Sequence, residues 1–485
     1  MIKKLNLFRN TFVSFSPGVI SIFVSLFSIP LFLNILNSSY FGQYLIQNLF
    51  FTLGFLLNFG IYRLIIINNM IKDKFASSLK NTFYIQINIV LSLFFSTLIF
   101  FSMYLINLRF NFSTLDLILN KYIFIGLILS SIFFSIESIQ KINEKFYQLA
   151  FFNLSFNALS FSAPAFYLYF KSYYYHDYII LSYPEELISI VVFLKILSVL
   201  IFFLILLDQK KIGNLLSLTN KMRLKKKDFE EIFYATNQSL IFFLNNLTDK
   251  FLVKITLGNS FLTLYSVPQQ IAAKSTILVT GISSVFFPKI SKISSLERKK
   301  VYLRYVVKIT IFFSGFISFC IYPFIDPLIK FWLKNSFNEI YVPLIKVFLF
   351  YSFFASLNFL ISQFIDSEKK IKNNTIIDIS FFFVTLIFFF ISMKLKMLIF
   401  FAASICLREV LIFCFKCYHY NLTSLIKYEI KPIIFFSIFL ILGINIVNIY
   451  FYIISIILII FYSLSYVKIK DIVQNFKKIF NISNV

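Results

Sequence analysis

Residues 187–207 read LISIVVFLKILSVLIFFLILL, an apolar run that contains one charged residue, Lys195. A helix rises 1.5 Å per residue, so a run of about twenty residues matches the hydrocarbon core of a bilayer. Runs of similar length recur throughout the 485 residues. Hydrophobic residues make up 59% of the chain and charged residues only 14%, whereas a soluble domain is about a quarter charged. The sequence therefore predicts an all-α, polytopic membrane protein.

The apolar runs predict fourteen transmembrane helices. Their approximate spans are 11–36, 41–67, 82–107, 117–137, 148–170, 187–207, 232–257, 260–287, 305–329, 341–365, 374–393, 397–415, 432–449 and 450–467. No connection between them is long enough to fold a catalytic domain, which needs at least about fifty residues. The connections also lack a Gly-rich phosphate-binding loop. We therefore expect neither an enzyme nor a built-in ATPase, and no cofactor.

The basic residues give this topology an orientation. Most of the 46 Lys and Arg residues fall in segments that face the cytoplasm if the amino terminus is cytoplasmic. The predicted outer segments contain only Arg109, Lys121, Lys171, Lys330, Lys334, Lys394 and Lys396. Such an asymmetry is the positive-inside signature of membrane proteins. Both termini are therefore predicted to be cytoplasmic.

An internal repeat relates the two halves of the chain. When the sequence is shifted by 221 residues, six identities align between the start of each half; the pairs are Leu36 and Leu257, Ser39 and Ser260, Tyr44 and Tyr265, Leu57 and Leu278, Gly60 and Gly281, and Ile61 and Ile282. In so biased a composition, coincidence is the alternative explanation. An offset of six helices keeps their direction, so the halves would be parallel repeats related by an axis along the membrane normal. Two such lobes are expected to enclose a central cavity.

Several charged side chains fall inside the predicted helices. Because an ionisable group at bilayer depth costs roughly 2.5–3.5 kcal/mol on insertion scales, each one requires an explanation. The candidates for a binding site are Asp249, Lys250, Lys254, Lys274, Arg63 and Lys195. We interpret Asp249 as the one carboxylate at depth. The lysines indicate a cationic cavity for an anion such as a phosphate, since an ammonium group acts as a point charge that does not clamp its ligand.

Simpler explanations exist for the same residues. Lysines near helix ends can extend to the interface, which is the expected behaviour of Lys346, Arg63 and Lys308. Prolines interrupt the predicted helices at Pro17, Pro30, Pro164, Pro268 and Pro323, either as bending elements or as tolerated kinks. The four cysteines form no disulfide framework. Cys414, Cys417 and His419 lack a fourth ligand, so no metal site is expected there.

Two stretches of sequence carry a family resemblance. The first is PLFLNILNSSYFGQY at 30–44, followed by Asn58-Phe-Gly-Ile61 and Arg63, and the second comprises Asp249-Lys250, Leu257-Gly258, Tyr265 and Pro288. Together they resemble the Wzx-type oligosaccharide flippases of the multidrug/oligosaccharidyl-lipid/polysaccharide superfamily. Asp249 and Lys250 match family positions on the seventh helix, whereas Lys254 and Lys274 are candidates from their depth alone.

The resemblance implies a fold of two six-helix lobes, at 1–220 and 221–425, with an additional helix pair and a cytoplasmic tail at 426–485. It implies a flippase of the bacterial inner membrane that works by alternating access. The cargo would be a polyprenyl-diphosphate-linked oligosaccharide for O-antigen, lipopolysaccharide or capsule. Its partners would be that anionic lipid, membrane lipids and polysaccharide polymerase machinery, with no nucleic acid.

Three other functions fit a chain of this kind. A drug or cation antiporter would share the fold, but it would need acidic groups in its cavity. A polysaccharide polymerase or ligase would need a large outer loop with catalytic residues, which the predicted topology lacks. The third alternative is a scaffold that transports nothing.

Overall fold

The computed structural model describes residues 2–56, 61–68, 145–174, 183–207 and 226–422, and parts of 83–101 and 125–141. Over these residues the chain is helical almost throughout and contains no β-strand. The all-α class predicted from the apolar runs is therefore confirmed. The predicted segments 432–449 and 450–467 lie outside the described residues, so the count of fourteen spans stays a prediction.

Fifteen helices can be named in the described residues. Those before residue 210 are α1 (Ile2–Ile35), α2 (Ser38–Leu56), α3 (Ile61–Asn68), α4 (Phe83–Phe94), α5 (Phe146–Asn153), α6 (Ser160–Tyr174) and α7 (Tyr183–Leu207). Those after it are α8 (Lys226–Leu257), α9 (Asn259–Ala273), α10 (Ile277–Lys292), α11 (Leu296–Ile321), α12 (Ile325–Leu333), α13 (Tyr341–Ser367), α14 (Ile371–Leu395) and α15 (Leu398–His419). A π-helical segment, Leu154–Leu159, joins α5 to α6. Short 3₁₀ turns at Lys274–Thr276 and Tyr322–Phe324 follow α9 and α11.

Three of the described helices, α13, α14 and α15, are long and apolar enough to cross a membrane. They cover the spans predicted at 341–365, 374–393 and 397–415. A bent pair of helices, Asn259–Thr276 and Gly281–Lys292, is also apolar and long enough when its two halves, which meet at 50°, are taken together. Only 22% of the most apolar window of α14 is buried, so most of that helix is free to face lipid. These helices make the chain a multi-pass membrane protein.

The prolines do not all act as predicted. Pro17 and Pro30 lie inside α1, which runs without a break from Ile2 to Ile35. Helices inside a membrane tolerate proline because neighbouring groups can satisfy the carbonyl that loses its donor. Pro323 does mark a break, since it lies in the 3₁₀ turn between α11 and α12. Pro164 and Pro268 are internal to α6 and α9.

The helices form two compact units. Unit A comprises Ile20–Thr263 and Glu368–Phe382, and unit B comprises Met1–Val19, Leu264–Ser367 and Phe383–Val485. These units reflect spatial contacts, whereas the predicted lobes 1–220 and 221–425 and the segment 426–485 follow the sequence repeat. That lobe division stays a prediction.

In unit A, helix α2 packs against α7 and α8, and α3 packs against α8. The core beside α2 contains three stacked aromatic rings, with ring centroids 5.4 Å apart for Phe32 and Phe41 and 5.1 Å apart for Phe32 and Tyr44. At one end of α6 and α7, Lys171 Nζ donates a hydrogen bond of 2.6 Å to Glu186, and this bond raises the pKa of the lysine. Unit A is thus held by an aromatic core and a polar tie between two helix ends.

Unit B is organised around α13, which packs against α10, α11 and α15. Polar side chains join these helices inside the apolar core. Gln363 Nε2 donates to Ser283 Oγ at 2.7 Å, and Lys416 Nζ donates to Ser362 Oγ at 2.9 Å. Lys299, which is 3% exposed, donates to the carbonyl of Ser367 at 2.9 Å. Ser367 is the last residue of α13, where unpaired carbonyls carry a partial negative charge that favours a cation.

We expect Lys299→Met to destabilise unit B by about 1–3 kcal/mol, because the Ser367 carbonyl would stay buried without its donor. Thermal unfolding of the purified protein in detergent measures the effect. Arg298→Met is the matched control, since Arg298 is exposed. Equal melting temperatures for the two variants would show that the Lys299 contact contributes nothing.

Candidate functional site

Three of the predicted site residues lie in the last turns of α8. Asp249 is 1% exposed, and its Oδ1 accepts a hydrogen bond of 2.8 Å from the backbone N–H of Lys250. Lys250 is half-buried, and its Nζ lies 3.4 Å from the carbonyl of Asn246. Lys254 is also half-buried and lies one turn further along. Residues four apart share a helix face, so the two ammonium groups emerge on one side of α8.

Two more predicted residues lie on helices of the same unit. Arg63 is half-buried on α3, which packs directly against α8. Lys195 is half-buried on α7, and its Nζ lies 4.6 Å from the centroid of the Phe156 ring. A cation over an aromatic face is stabilised by about 0.5–2 kcal/mol, most strongly where water is excluded. The ring therefore supports a charged lysine in the middle of an apolar helix.

The ring beneath Lys195 is placed by an irregular part of the backbone. Phe156 lies in the π-helical segment Leu154–Leu159, and π-helical turns occur often at functional sites. Its centroid is 4.2 Å from that of Phe133 and 5.8 Å from that of Phe152. This aromatic cluster is buried, so the π-helical segment fixes one wall of the Lys195 environment.

Five of the six predicted residues belong to unit A; they are Arg63, Lys195, Asp249, Lys250 and Lys254. Lys274 belongs to unit B, where it opens the 3₁₀ turn at the break between α9 and α10. Their roles in binding stay predictions. The prediction that Lys250 and Lys254 share a helix with the buried Asp249 agrees with the geometry of α8.

Sequence analysis missed an acidic residue at depth. Glu409 lies near the middle of α15, and its side chain is 12% exposed, so Asp249 is not the one carboxylate inside a span. Arg408 pairs with it through Nη2 at 2.9 Å and Nε at 3.1 Å. Asn358 on α13 donates Nδ2 to Glu409 Oε2 at 2.7 Å. A charged pair in the centre of an apolar run was the signal available in the sequence.

A metal centre has no support in the described part of the chain. No group of three or more His, Cys, Asp or Glu side chains is placed there to hold a metal ion. The His419 ring stacks instead on Phe415, with centroids 5.9 Å apart.

The fold is similar to that of known transporters. A multidrug-resistance MATE family transporter of the MOP superfamily, in its outward-facing conformation, aligns with a TM-score of 0.61 and 11% identity over 88% of this chain and 97% of its own. A Vibrio cholerae MATE transporter, VcmN, aligns with a TM-score of 0.60 and 12% identity over 87% of this chain and 99% of its own.

A third structure differs in its described chemistry. It is a MOP superfamily transporter from Pyrococcus furiosus, for which a reversed polarity of the binding pocket is said to suggest a different function. It aligns with a TM-score of 0.57 and 12% identity over 87% of this chain and 96% of its own. No family model and no curated protein sequence matches the chain. The similarity therefore shows the fold, which is that of the MATE transporters.

We expect Glu409→Gln to destabilise unit B by about 3–5 kcal/mol, because it leaves the Arg408 guanidinium buried without a carboxylate. The double variant Arg408→Met/Glu409→Gln removes both charges and is expected to recover most of that loss. Thermal unfolding in detergent, measured for both variants, tests the coupling. Additive losses in the double variant would contradict a coupled pair.

Proposed function

We propose that the protein is a flippase that moves a polyprenyl-diphosphate-linked oligosaccharide from the inner to the outer leaflet of a bacterial inner membrane by alternating access. The fold supports transport, because solved structures with this fold are transporters, and the alignment covers nearly the whole length of each of them. The observation that carries the choice of cargo is the sign of the charge in unit A. Arg63 lies on α3, which packs against α8, the helix that carries Lys250, Lys254 and the buried carboxylate Asp249. Lys195 lies on α7, and both α7 and α8 pack against α2 in the same unit.

A cationic site of this kind suits an anionic headgroup. The side chains of Arg63, Lys195, Lys250 and Lys254 would each attract a bound diphosphate, whose charge is opposite to theirs. Lysines predominate over arginine here, which favours a ligand that must bind and then leave, since an ammonium group does not hold phosphate in a bidentate fork. The lipid tail would stay in the bilayer while the charged headgroup crosses through protein, which avoids its transfer into hydrocarbon.

The energy for net outward movement does not require a nucleotide. An inside-negative potential favours outward movement of an anion by about 2.3 kcal/mol per charge per 100 mV. Asp249 and Glu409 are the buried carboxylates on α8 and α15 that a counter-moving proton would use, and Glu409 is already paired with Arg408. Of the two, Asp249 is the better candidate, because it lies beside the proposed headgroup site.

A cation or drug antiporter is the competing function on the same fold. It would be served by a carboxylate-rich cavity, whereas basic side chains outnumber acidic ones among the predicted site residues of unit A. For the Pyrococcus furiosus transporter, reversed pocket polarity is said to suggest a different function. Pocket charge is therefore the property to test.

We expect Lys250→Gln, Lys254→Gln and Lys195→Gln each to reduce surface polysaccharide at least tenfold in a host that lacks its own flippase, because each removes a positive charge from the headgroup site. Lys250→Arg is expected to retain more activity than Lys250→Gln, since it keeps the charge. Surface polysaccharide is measured by antibody or lectin binding, and membrane abundance of each variant is measured in parallel.

Lys308→Gln on α11 is the matched control, because Lys308 is a half-buried lysine outside the proposed site. Full activity in all three site variants, at normal abundance, would contradict the cationic site. Activity that requires Asp249 but none of the lysines would instead favour a cation antiporter.

A further inference from the structure

The second helices of the two sequence repeats, α2 and α9, meet in a reciprocal contact. Thr263 Oγ1 on α9 donates a hydrogen bond of 2.7 Å to the carbonyl of Ser38 on α2. One turn along α2, Gly42 faces Asn259 so closely that a Cβ atom on the glycine would lie 2.8 Å from the Asn259 carbonyl carbon. All four residues belong to unit A.

These four positions are related by the same shift of 221 residues that aligns the repeats. The shift moves Ser38 onto Asn259 and Gly42 onto Thr263. Ser38 therefore contacts Thr263, which is the counterpart of Gly42. Gly42 in turn contacts Asn259, which is the counterpart of Ser38. A pair of contacts that exchange partners in this way is the mark of a two-fold axis passing between them.

The local backbone of each partner supports this correspondence. The Asn37 side chain accepts the backbone N–H of Tyr40 at 3.0 Å and so caps the start of α2. Its counterpart under the shift is Gly258, which has a φ of 95° and separates α8 from α9. Both contacting helices thus begin directly after a short break, and both bring their first two turns to the crossing.

We infer that this crossing, formed by Ser38, Gly42, Asn259 and Thr263, is a gate that closes the transport route at one face of the membrane. Parallel repeats are related by an axis along the membrane normal, and the route of an alternating-access transporter lies between them. A contact centred on that axis obstructs the route and must part before cargo leaves. The predicted orientation places it at the outer face. The inference rests on the proposed transport activity but not on the identity of the cargo.

The chemistry of the contact fits a gate that opens. One hydrogen bond and the close approach of a glycine hold it, and neither is an ion pair or an aromatic stack. On the same face of α9, one turn deeper, lies Ser266, a buried residue whose hydroxyl has no hydrogen-bond partner in the described residues. A thiol at that position would report when water and reagents pass the crossing.

The first test is cross-linking. In a chain whose four cysteines are replaced by serine, Ser38→Cys and Thr263→Cys are joined by a short bifunctional thiol reagent. We expect polysaccharide export to fall at least tenfold on cross-linking and to recover on reduction. Ser283→Cys with Gln363→Cys is the matched control, because these two residues contact each other within the second repeat and their cross-link should leave export unchanged.

The second test does not depend on cargo. A Ser266→Cys reporter is labelled with a membrane-impermeant thiol reagent from the outside of intact cells. We expect Gly42→Ala to speed labelling by about tenfold, because the added methyl group disfavours the closed crossing. Thr263→Val, which removes the hydroxyl donor and keeps the shape, should act in the same direction if Gly42→Ala fails to fold. The Ser38–Thr263 cross-link should slow labelling by about tenfold.

The two tests separate failure of the gate from failure of the proposed cargo. Export that persists after complete cross-linking, or reporter labelling that neither substitution nor cross-link changes, would overturn the gate. Changes in labelling without any polysaccharide export by the native protein would support the gate and reject the cargo.

Discussion

A positive charge inside a bilayer requires a polar, aromatic or oppositely charged partner. The positions of the buried charges in this protein follow from that requirement. Lys195 lies over the Phe156 ring, Lys416 donates to Ser362, and Arg408 pairs with Glu409. Each of these buried contacts costs desolvation energy, and it persists only where packing holds the partner in place. The charged side chains are therefore fixed parts of the helix bundles.

The balance of positive and negative side chains differs between the two units. In unit B, the central charges of α15 are satisfied by direct contacts with Asn358 and with each other, so they join α13 to α15. In unit A, the predicted site residues on α3, α7 and α8 are four basic side chains and a buried carboxylate, Asp249. A charge pair tied to a neighbouring helix favours a structural role, whereas a predominance of basic side chains favours a ligand of opposite charge. This contrast is why the proposed headgroup site is assigned to unit A.

Much of the fold could be predicted from the sequence. The span predicted at 341–365 is the helix Tyr341–Ser367, because a continuous apolar run has no other stable conformation in a membrane. Effects that depend on neighbouring helices could not be predicted. The helix α1 continues through Pro17 and Pro30, whereas the helix that contains Pro268 ends before the turn Lys274–Thr276, and the presence of proline did not distinguish the two outcomes.

The candidate site shows the same division. Depth along the sequence identified the lysines of α8, but it could not show the aromatic ring under Lys195 or the pairing of Glu409. The shift of 221 residues aligned the two repeats, whereas the exchange of contacts between positions 38 and 42 and their counterparts required coordinates. The sequence pattern thus located the charged residues and the two repeats. The partners of those residues could be identified only from the three-dimensional contacts.

The most direct measurement is the affinity of the purified native protein for two lipids that differ only in their headgroup, a polyprenyl diphosphate carrying a short oligosaccharide and a neutral polyprenol glycoside with the same sugars. The account predicts that the diphosphate binds at least tenfold more tightly and that Lys250→Gln/Lys254→Gln abolishes the difference. Equal affinity of the native protein for both lipids would contradict the claim that buried positive charge selects the cargo.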